Sequence, residues 1–182
     1  IDPNNNNVFY ATTQGETEYT DKVGDGAGVF KSTDRGNNWS QINNGLNSLE
    51  TNVLVVDPND SEILYLGTDD DGVYKSTDGG ETWKKLNVSS VPKSFGVGDI
   101  IVDPQNSNNI YIGTVDYFRI SESRGVLGDF GIYKSTDGGT TWEEFNSGLK
   151  HLGVFSLELS EENRILYAGT RAGGGYWISL DN

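Results

Sequence analysis

The chain has 182 residues, 34% of them hydrophobic, with 24 glycines and a formal net charge of −14. That is enough apolar content to fold as one large domain or an array of small units, while the charge repels nucleic acid and anionic membrane surfaces and leaves neutral or cationic partners. Apolar runs such as Val53–Val56 are far too short to span a bilayer, so no membrane insertion is expected, and the absence of cysteine excludes disulfides.

Four kinds of segment recur in chain order. The first is an apolar run ending in Asp-Pro: only its tail, "IDP", stands at Ile1, and it returns as "VLVVDP" from Val53 and "DIIVDP" from Asp99. The second ends in Thr: "VFYATT" from Val8, "ILYLGT" from Ile63, "NIYIGT" from Asn109 and "ILYAGT" from Ile165, with Tyr10, Tyr65, Tyr111 and Tyr167 in step. The third opens "GVFKSTDRGNNW" at Gly28, "GVYKSTDGGETW" at Gly72 and "GIYKSTDGGTTW" at Gly131. The fourth begins at the tryptophan and turns to charge, as in "TWKKLN" and "TWEEFN". Each is short, rich in β-branched and aromatic residues and bounded by Asp-Pro, Asp-Gly or Gly-Gly, which is the signature of strands and hairpins.

The gradient from an apolar first strand to a charged fourth fits a small sheet buried at a centre and exposed at its rim, the blade of a β-propeller. The expected fold is therefore all-β, a propeller of four-stranded antiparallel blades with about four present. Blades are expected at roughly 1–46, 47–92, 93–149 and 150–182, the first and last incomplete. Read with Gly175 in step with Gly72, "GYWISLDN" ends the chain inside a degenerate third segment. The two ends then do not complement each other, so the chain is expected to be a processed protein or a piece, without methionine, from a larger ring of about six to eight blades. The remaining blades would come from the longer polypeptide or from another chain.

The words "STDRGNNW", "STDGGETW" and "STDGGTTW" match Ser/Thr-x-Asp-x-Gly-x-x-Trp. In them the chain resembles the Asp-box, or bacterial neuraminidase repeat, β-propellers found in sialidases, two-propeller xyloglucanases, sortilin-type receptors and photosystem II assembly factors. The motif residues are Ser32, Asp34, Gly36 and Trp39, then Ser76, Asp78, Gly80 and Trp83, then Ser135, Asp137, Gly139 and Trp142. A structural role is expected: the Asp accepts backbone N–H bonds one or two residues on, the Gly supplies positive φ, and the Trp buries its ring against the turn or the next blade.

Strand parity puts the Asp-boxes and Asp-Pro turns on one face and the connections from second to third strand on the other. Two of those connections are long, Gln14–Ala27 and Val115–Phe130, and two are short, Asp69–Asp71 and Arg171–Gly174. Long connections without strand signals often carry function. A site there would combine carboxylates (Glu16, Glu18, Asp21, Asp25, Asp69, Asp70, Asp71, Asp116) with contact residues (Tyr19, Tyr117, Phe118, Arg119, Arg171). Rings beside carboxylates suit a glycan or a basic peptide. Flexible solvated loops are the alternative.

Asp69, Asp70 and Asp71 are candidate calcium ligands, although three adjacent carboxylates cannot all face one ion and no EF-hand spacing is present; no other cofactor is expected. Phe118-Arg119-Ile120 resembles the Phe-Arg-Ile-Pro stretch of sialidases, but Ser121 replaces the proline and three arginines from separate blades cannot converge. Asp99 stands where the inner strand begins and is either half of a glycosidase pair or a cap on that strand. His151 reads as a surface residue. Asn38 and Asn87 open glycosylation triplets. Two functions follow: a non-catalytic binding or scaffold propeller, secreted or envelope-exposed, recognising protein or glycan, or else a fragment of a glycoside hydrolase of xyloglucanase or sialidase type.

Overall fold

The computed structural model describes residues 1–15, 26–89, 91, 95–116, 129–171 and 173–180, and places fourteen strands and no helix among them. None of these residues forms a helix long and apolar enough to cross a membrane. Sheet 1 holds β1 (Phe9–Thr13), β2 (Gly28–Ser32) and β3 (Ser40–Gln41). Sheet 2 holds β4 (Thr51–Asp57), β5 (Asp60–Thr68), β6 (Val73–Ser76) and β7 (Lys84–Lys85). Sheet 3 holds β8 (Gly96–Val102), β9 (Ile110–Val115), β10 (Ile132–Ser135) and β11 (Glu143–Glu144). Sheet 4 holds β12 (Val154–Ser160), β13 (Ile165–Thr170) and β14 (Gly174–Ser179). Every pairing is antiparallel between neighbours in sequence, the up-and-down order of propeller blades. Where the other sheets have an inner strand, sheet 1 has a single bridge, Asp2 to Asn5. The outer strands are shorter than the charged segments suggest, two residues each and exposed.

The apolar core lies between sheets. Val29, Ile42, Leu64, Tyr74 and Trp83 join sheets 1 and 2; Tyr65, Val97, Ile100, Ile112 and Trp142 join sheets 2 and 3; Tyr111, Ile132, Val154, Leu157 and Leu166 join sheets 3 and 4. β-Branched and aromatic residues dominate where an inner strand is covered on both faces, as β8 is between β4 and β12, whereas β12 keeps exposed residues.

The Asp-boxes share one set of bonds. Ser76 Oγ donates to Asp78 Oδ1 at 2.7 Å and accepts from Gly80 N at 2.9 Å. Asp78 reaches farther than an Asx-turn, accepting from Thr82 N at 2.9 Å and from Thr82 Oγ1 at 2.5 Å. Asp137 does the same with Thr141, and Asp34 with Asn38. The expected bonds one or two residues on thus give way to bonds four residues on, because the turn is wider than an Asx-turn. Gly36, Gly80 and Gly139 hold φ of 85°, 93° and 91°, a conformation glycine adopts without strain. Trp83 donates to the Ile42 carbonyl of sheet 1 at 2.7 Å, whereas Trp39 and Trp142 donate to their own Gly36 and Gly139 carbonyls. Trp83 and Trp142 are buried, but Trp39 is 43% exposed.

Hydrogen bonds to Thr82 and Ser76 hold the Asp78 carboxyl down to about 2, and those to Thr141 hold Asp137 likewise at about 2. Bonds to Asn38 lower Asp34. The folded values lie below the ordinary 3.8, so the stabilisation from ionised boxes is complete above that value and disappears as the pH falls toward the folded one. The thermal midpoint is expected to drop between about pH 4 and pH 2, and an Asp78→Asn/Asp137→Asn variant should show a flatter drop in circular-dichroism melts.

The faces follow from bonds between turns. Arg35 N, Gly79 N and Gly138 N donate to the carbonyls of Asn7, Glu62 and Asn108, so each box sits beside the turn that leads into β1, β5 or β9 of its own sheet. Neighbouring sheets are also linked there: Ser61 Oγ donates to Asp2 and Ser107 Oγ to Asp57, at 2.8 and 2.6 Å. At the third junction Asn163 stands at the serine position, and the next residue, Arg164, grips the fully buried Asp103 with both terminal nitrogens, at 3.1 and 2.6 Å.

Sheet 4 corrects the sequence register. Gly174, with φ of 81°, pairs with Thr170 as Gly28 pairs with Thr13. Gly174 rather than Gly175 is therefore the counterpart of Gly72. A slip of one residue moves each side chain to the other face of a strand, and Trp177 consequently stands where Lys31, Lys75 and Lys134 stand in the other sheets.

Candidate functional site

On the face opposite the boxes, the connections from β1 to β2, β5 to β6, β9 to β10 and β13 to β14 each close through a threonine. Thr13, Thr68, Thr114 and Thr170 Oγ1 donate to the carbonyls of Gly28, Gly72, Gly131 and Gly174 at 3.0, 3.0, 3.0 and 3.1 Å. In the first three sheets the same hydroxyl accepts from the N–H of Ala27, Asp71 or Phe130. The long segments leave and re-enter through the same neck as the three-residue turn Asp69–Asp71. Of the candidates within them, Glu16, Glu18, Tyr19, Asp21, Asp25, Tyr117, Phe118 and Arg119 lie outside the described residues, as do Ile120 and Ser121.

A buried carboxylate holds the first neck. Glu50 Oε2 accepts from Gly15 N at 2.6 Å and Oε1 from Gly26 N at 2.8 Å. Beside it Gln14 Nε2 donates to Asn52 Oδ1 at 2.9 Å and to Asp69 at 3.2 Å, and Asn52 Nδ2 reaches the Val97 carbonyl of sheet 3 at 2.8 Å. Burial pushes the Asp69 carboxyl up to about 6, with Glu50 and Asp70 adding to the rise and the Gln14 amide opposing it.

Asp69, Asp70 and Asp71 diverge. Asp70 accepts from Ser48 Oγ at 2.9 Å, while Asp71 accepts from the Tyr74 hydroxyl and pairs with Lys85. Among the described residues no group of three or more His, Cys, Asp or Glu side chains is placed to hold a metal.

Asp99 links two inner strands. Its Oδ1 accepts from Ile100 N and its Oδ2 from Leu157 N of sheet 4, both at 2.8 Å. Burial raises its carboxyl, the two amides oppose the rise, and Glu158 adds to it. Nearby, Asp116 is buried, its N–H donates to Asp129 Oδ1 at 3.0 Å, and its carbonyl accepts from the Arg171 guanidinium. That guanidinium lies 5.1 Å from the centroid of the Phe155 ring, and Phe155 is 39% exposed. The structure therefore gathers Asp69, Asp99, Asp116 and Arg171 around the inner strands, turns Asp71 outward to Lys85, and adds Gln14, Glu50, Asn52, Asp129 and Phe155.

Asn52 and Phe155 share a position that sequence alternation hides. The inner strands are bulged between Thr51 and Val53, Val97 and Asp99, and Val154 and Ser156, and the extra residue is Asn52, Gly98 or Phe155. Bulges re-aim side chains at sheet ends, and here they line the mouth of the inner strands.

A cavity of about 400 Å³ opens elsewhere, at the outer rim between sheets 1 and 2, lined by Lys31, Thr33, Asp34, Asn38, Ser40, Gln41, Ile42 and Glu81. Lys31 is bound to the Gly79 carbonyl and Asp34 to Ser32 and Asn38, so its principal charged groups serve the frame. The bulged mouth is the better candidate.

Up-and-down sheets, inner apolar strands and boxed corners define an Asp-box β-propeller, of which the chain holds a part. Residues 27–176 match the Sortilin-Vps10 family (sortilin, neurotensin receptor 3), and the chain belongs to that family. Among solved structures it is similar to a Niastella koreensis GH74 enzyme, with 26% identity and a TM-score of 0.73, over 99% of this chain and 28% of that one. An ancestral GH74 enzyme shares 24% identity at a TM-score of 0.72, over 97% of this chain and 22% of that one. The extracellular domain of a hybrid two-component system from B. thetaiotaomicron shares 16% at a TM-score of 0.60, over 98% and 24%. The chain spans between 22% and 28% of the length of these proteins. No curated protein matches it.

Proposed function

We propose that the chain is part of a non-catalytic binding propeller, extracellular or envelope-exposed, that recognises a protein segment or glycan on the face opposite the Asp-boxes. The observation that carries this reading is the engagement of the carboxylates around the mouth. Both oxygens of Asp99 and both of Glu50 accept backbone amides, which suits a rigid acidic rim better than a proton shuttle. The Phe155 ring offers a stacking surface beside the Arg171 guanidinium, and the extracellular domain among the structural neighbours supports the location. A second reading, a fragment of a glycoside hydrolase, is favoured by the 26% identity to the N. koreensis GH74 enzyme.

Calorimetric titration with a lysine-rich peptide and with a neutral β-glucan oligosaccharide separates them. One of the two should bind, the peptide more weakly as salt rises. Phe155→Ala or Arg171→Ala should abolish binding without moving the thermal midpoint, and no reducing ends should appear. Release of reducing ends would establish the hydrolase reading, and binding of neither probe would sink the proposal.

A further inference from the structure

The asparagine that follows an outer strand has a fixed seat in sheets 1 and 3. Asn43 Oδ1 accepts from Val29 N at 2.8 Å, and its Nδ2 donates to the Ala27 carbonyl at 2.9 Å. Asn146 does the same with Ile132 N and the Phe130 carbonyl, at 2.7 and 3.1 Å. These amides lie against Gly28 and Gly131, where a Cβ would run into the amide oxygen. Asn87 is their counterpart in sheet 2, because Leu86 N donates to the Val73 carbonyl as Ile42 N and Phe145 N donate to those of Val29 and Ile132.

In sheet 2 the seat is taken by a ring. Gly72 N donates to the Phe95 carbonyl as Gly28 N and Gly131 N donate to those of Leu49 and Leu152. Leu49 and Leu152 are each 39% exposed, but Phe95 is 5% exposed, and its Cζ would stand 2.8 Å from a Cβ on Gly72. The ring is folded inward, and Asn87 is left exposed.

Asn87 opens the triplet Asn87-Val88-Ser89, an acceptor pattern for an N-linked glycan. Val88 is buried in the core between sheets 2 and 3, which anchors the triplet, while Asn87 and Ser89 on either side of it are exposed. Among the described residues the Asn87 side chain has no hydrogen-bond partner. Sheets 1 and 3 pack on the two faces of sheet 2, so this exposure does not come from an end of the chain. Two other triplets serve the frame. Asn38 Nδ2 donates to Asp34 Oδ2 at 2.6 Å inside a box. In Asn59-Asp60-Ser61, Asn59 Nδ2 donates to the Pro104 carbonyl and to Ser107 Oγ, both at 3.0 Å, and Ser61 Oγ is bound to Asp2.

We propose that Asn87, at the outer rim of sheet 2, is the acceptor of an N-linked glycan. The inference rests on the extracellular or envelope location proposed above. In the transfer, Asn87 Nδ2 bonds to the anomeric carbon of a lipid-diphosphate-linked oligosaccharide. The bond from that carbon to the diphosphate oxygen breaks, lipid diphosphate leaves, and the amide gives up one proton. A glycan at Asn87 displaces no bond of the frame, whereas one at Asn38 or Asn59 would crowd amides that close a box or a seam.

The test isolates the protein from the cells that make it, fraction by fraction, and locates any glycan by fragmenting its peptides in a mass spectrometer. Protein from the medium or envelope should carry a glycan at Asn87 and at neither Asn38 nor Asn59. Asn87→Gln and Ser89→Ala, made in the same cells, should each lose it. Without glycan, Asn87→Gln should melt with the parent chain, whereas Asn146→Ala, which empties a filled seat, should melt earlier. Exported protein that is bare at Asn87, or that carries glycan at Asn38 or Asn59, would overturn this inference and leave the location standing. Protein confined to the cytoplasm would overturn both.

Discussion

Replacing Arg164 by alanine is expected to destabilise the fold by about 3 kcal/mol or more, the usual cost of leaving one partner of a buried ion pair alone. Asp103 is fully buried and receives Arg164 through both terminal nitrogens. Burial pushes its carboxyl up, but Arg164, the Gln105 amide and Asn109 outweigh that and hold it below the ordinary value. Without the guanidinium, an ionised carboxylate is left at the seam between sheets 3 and 4. For a chain of this size the thermal midpoint should fall by about 6–12 °C, measured by calorimetry. Sheet 4 meets its only described neighbour at that seam, so an early separate transition from sheet 4 is an acceptable form of the result. An unchanged midpoint would show that the pair adds no net stability.

Gly98→Ala should be nearly as damaging. Gly98 is the extra residue of the β8 bulge, and a methyl there is driven onto the carbonyl oxygen of Val154 and to 3.0 Å from the Phe155 Cα. Both obstacles are backbone, so neither can swing aside. Overpacking of this kind costs about 3 kcal/mol, and relief requires sheets 3 and 4 to part at the inner strands. Because Asp99 bonds to Leu157 N next to this contact, hydrogen exchange at Leu157 should accelerate more than at Tyr65 of sheet 2. Equal acceleration at both would mean that the strain spreads through the frame.

Much of the frame is written in short words. The three twelve-residue repeats mark the corners, and strand parity puts the boxes on the face of the Asp-Pro turns, where Arg35, Gly79 and Gly138 meet Asn7, Glu62 and Asn108. The register of sheet 4 was not legible, because Gly173, Gly174 and Gly175 are equivalent until Thr170 chooses among them by hydrogen bonding. The reach of Asp78 to Thr82 depends on the path of the turn, which composition does not specify. Around the mouth, Asp69, Asp99, Asp116 and Arg171 were found by residue type and connection. Glu50, Asn52 and Phe155 escaped because a bulge breaks the alternation from which facing is read, and because Glu50 looks like any charged residue ahead of a strand until both of its oxygens are seen on Gly15 and Gly26.

The threonine neck has a consequence for how such a surface can change. Thr68 closes a turn of three residues with the same two bonds that Thr13 and Thr114 use to close far longer segments. Lengthening a closed loop costs only about 0.6 kcal/mol per doubling, so a foreign sequence of about a dozen residues inserted between Asp69 and Asp71 adds about 1 kcal/mol of closure entropy. Sequences at this neck can thus be exchanged as cassettes, and selection can rewrite what the rim recognises without reopening the question of how the sheets fold.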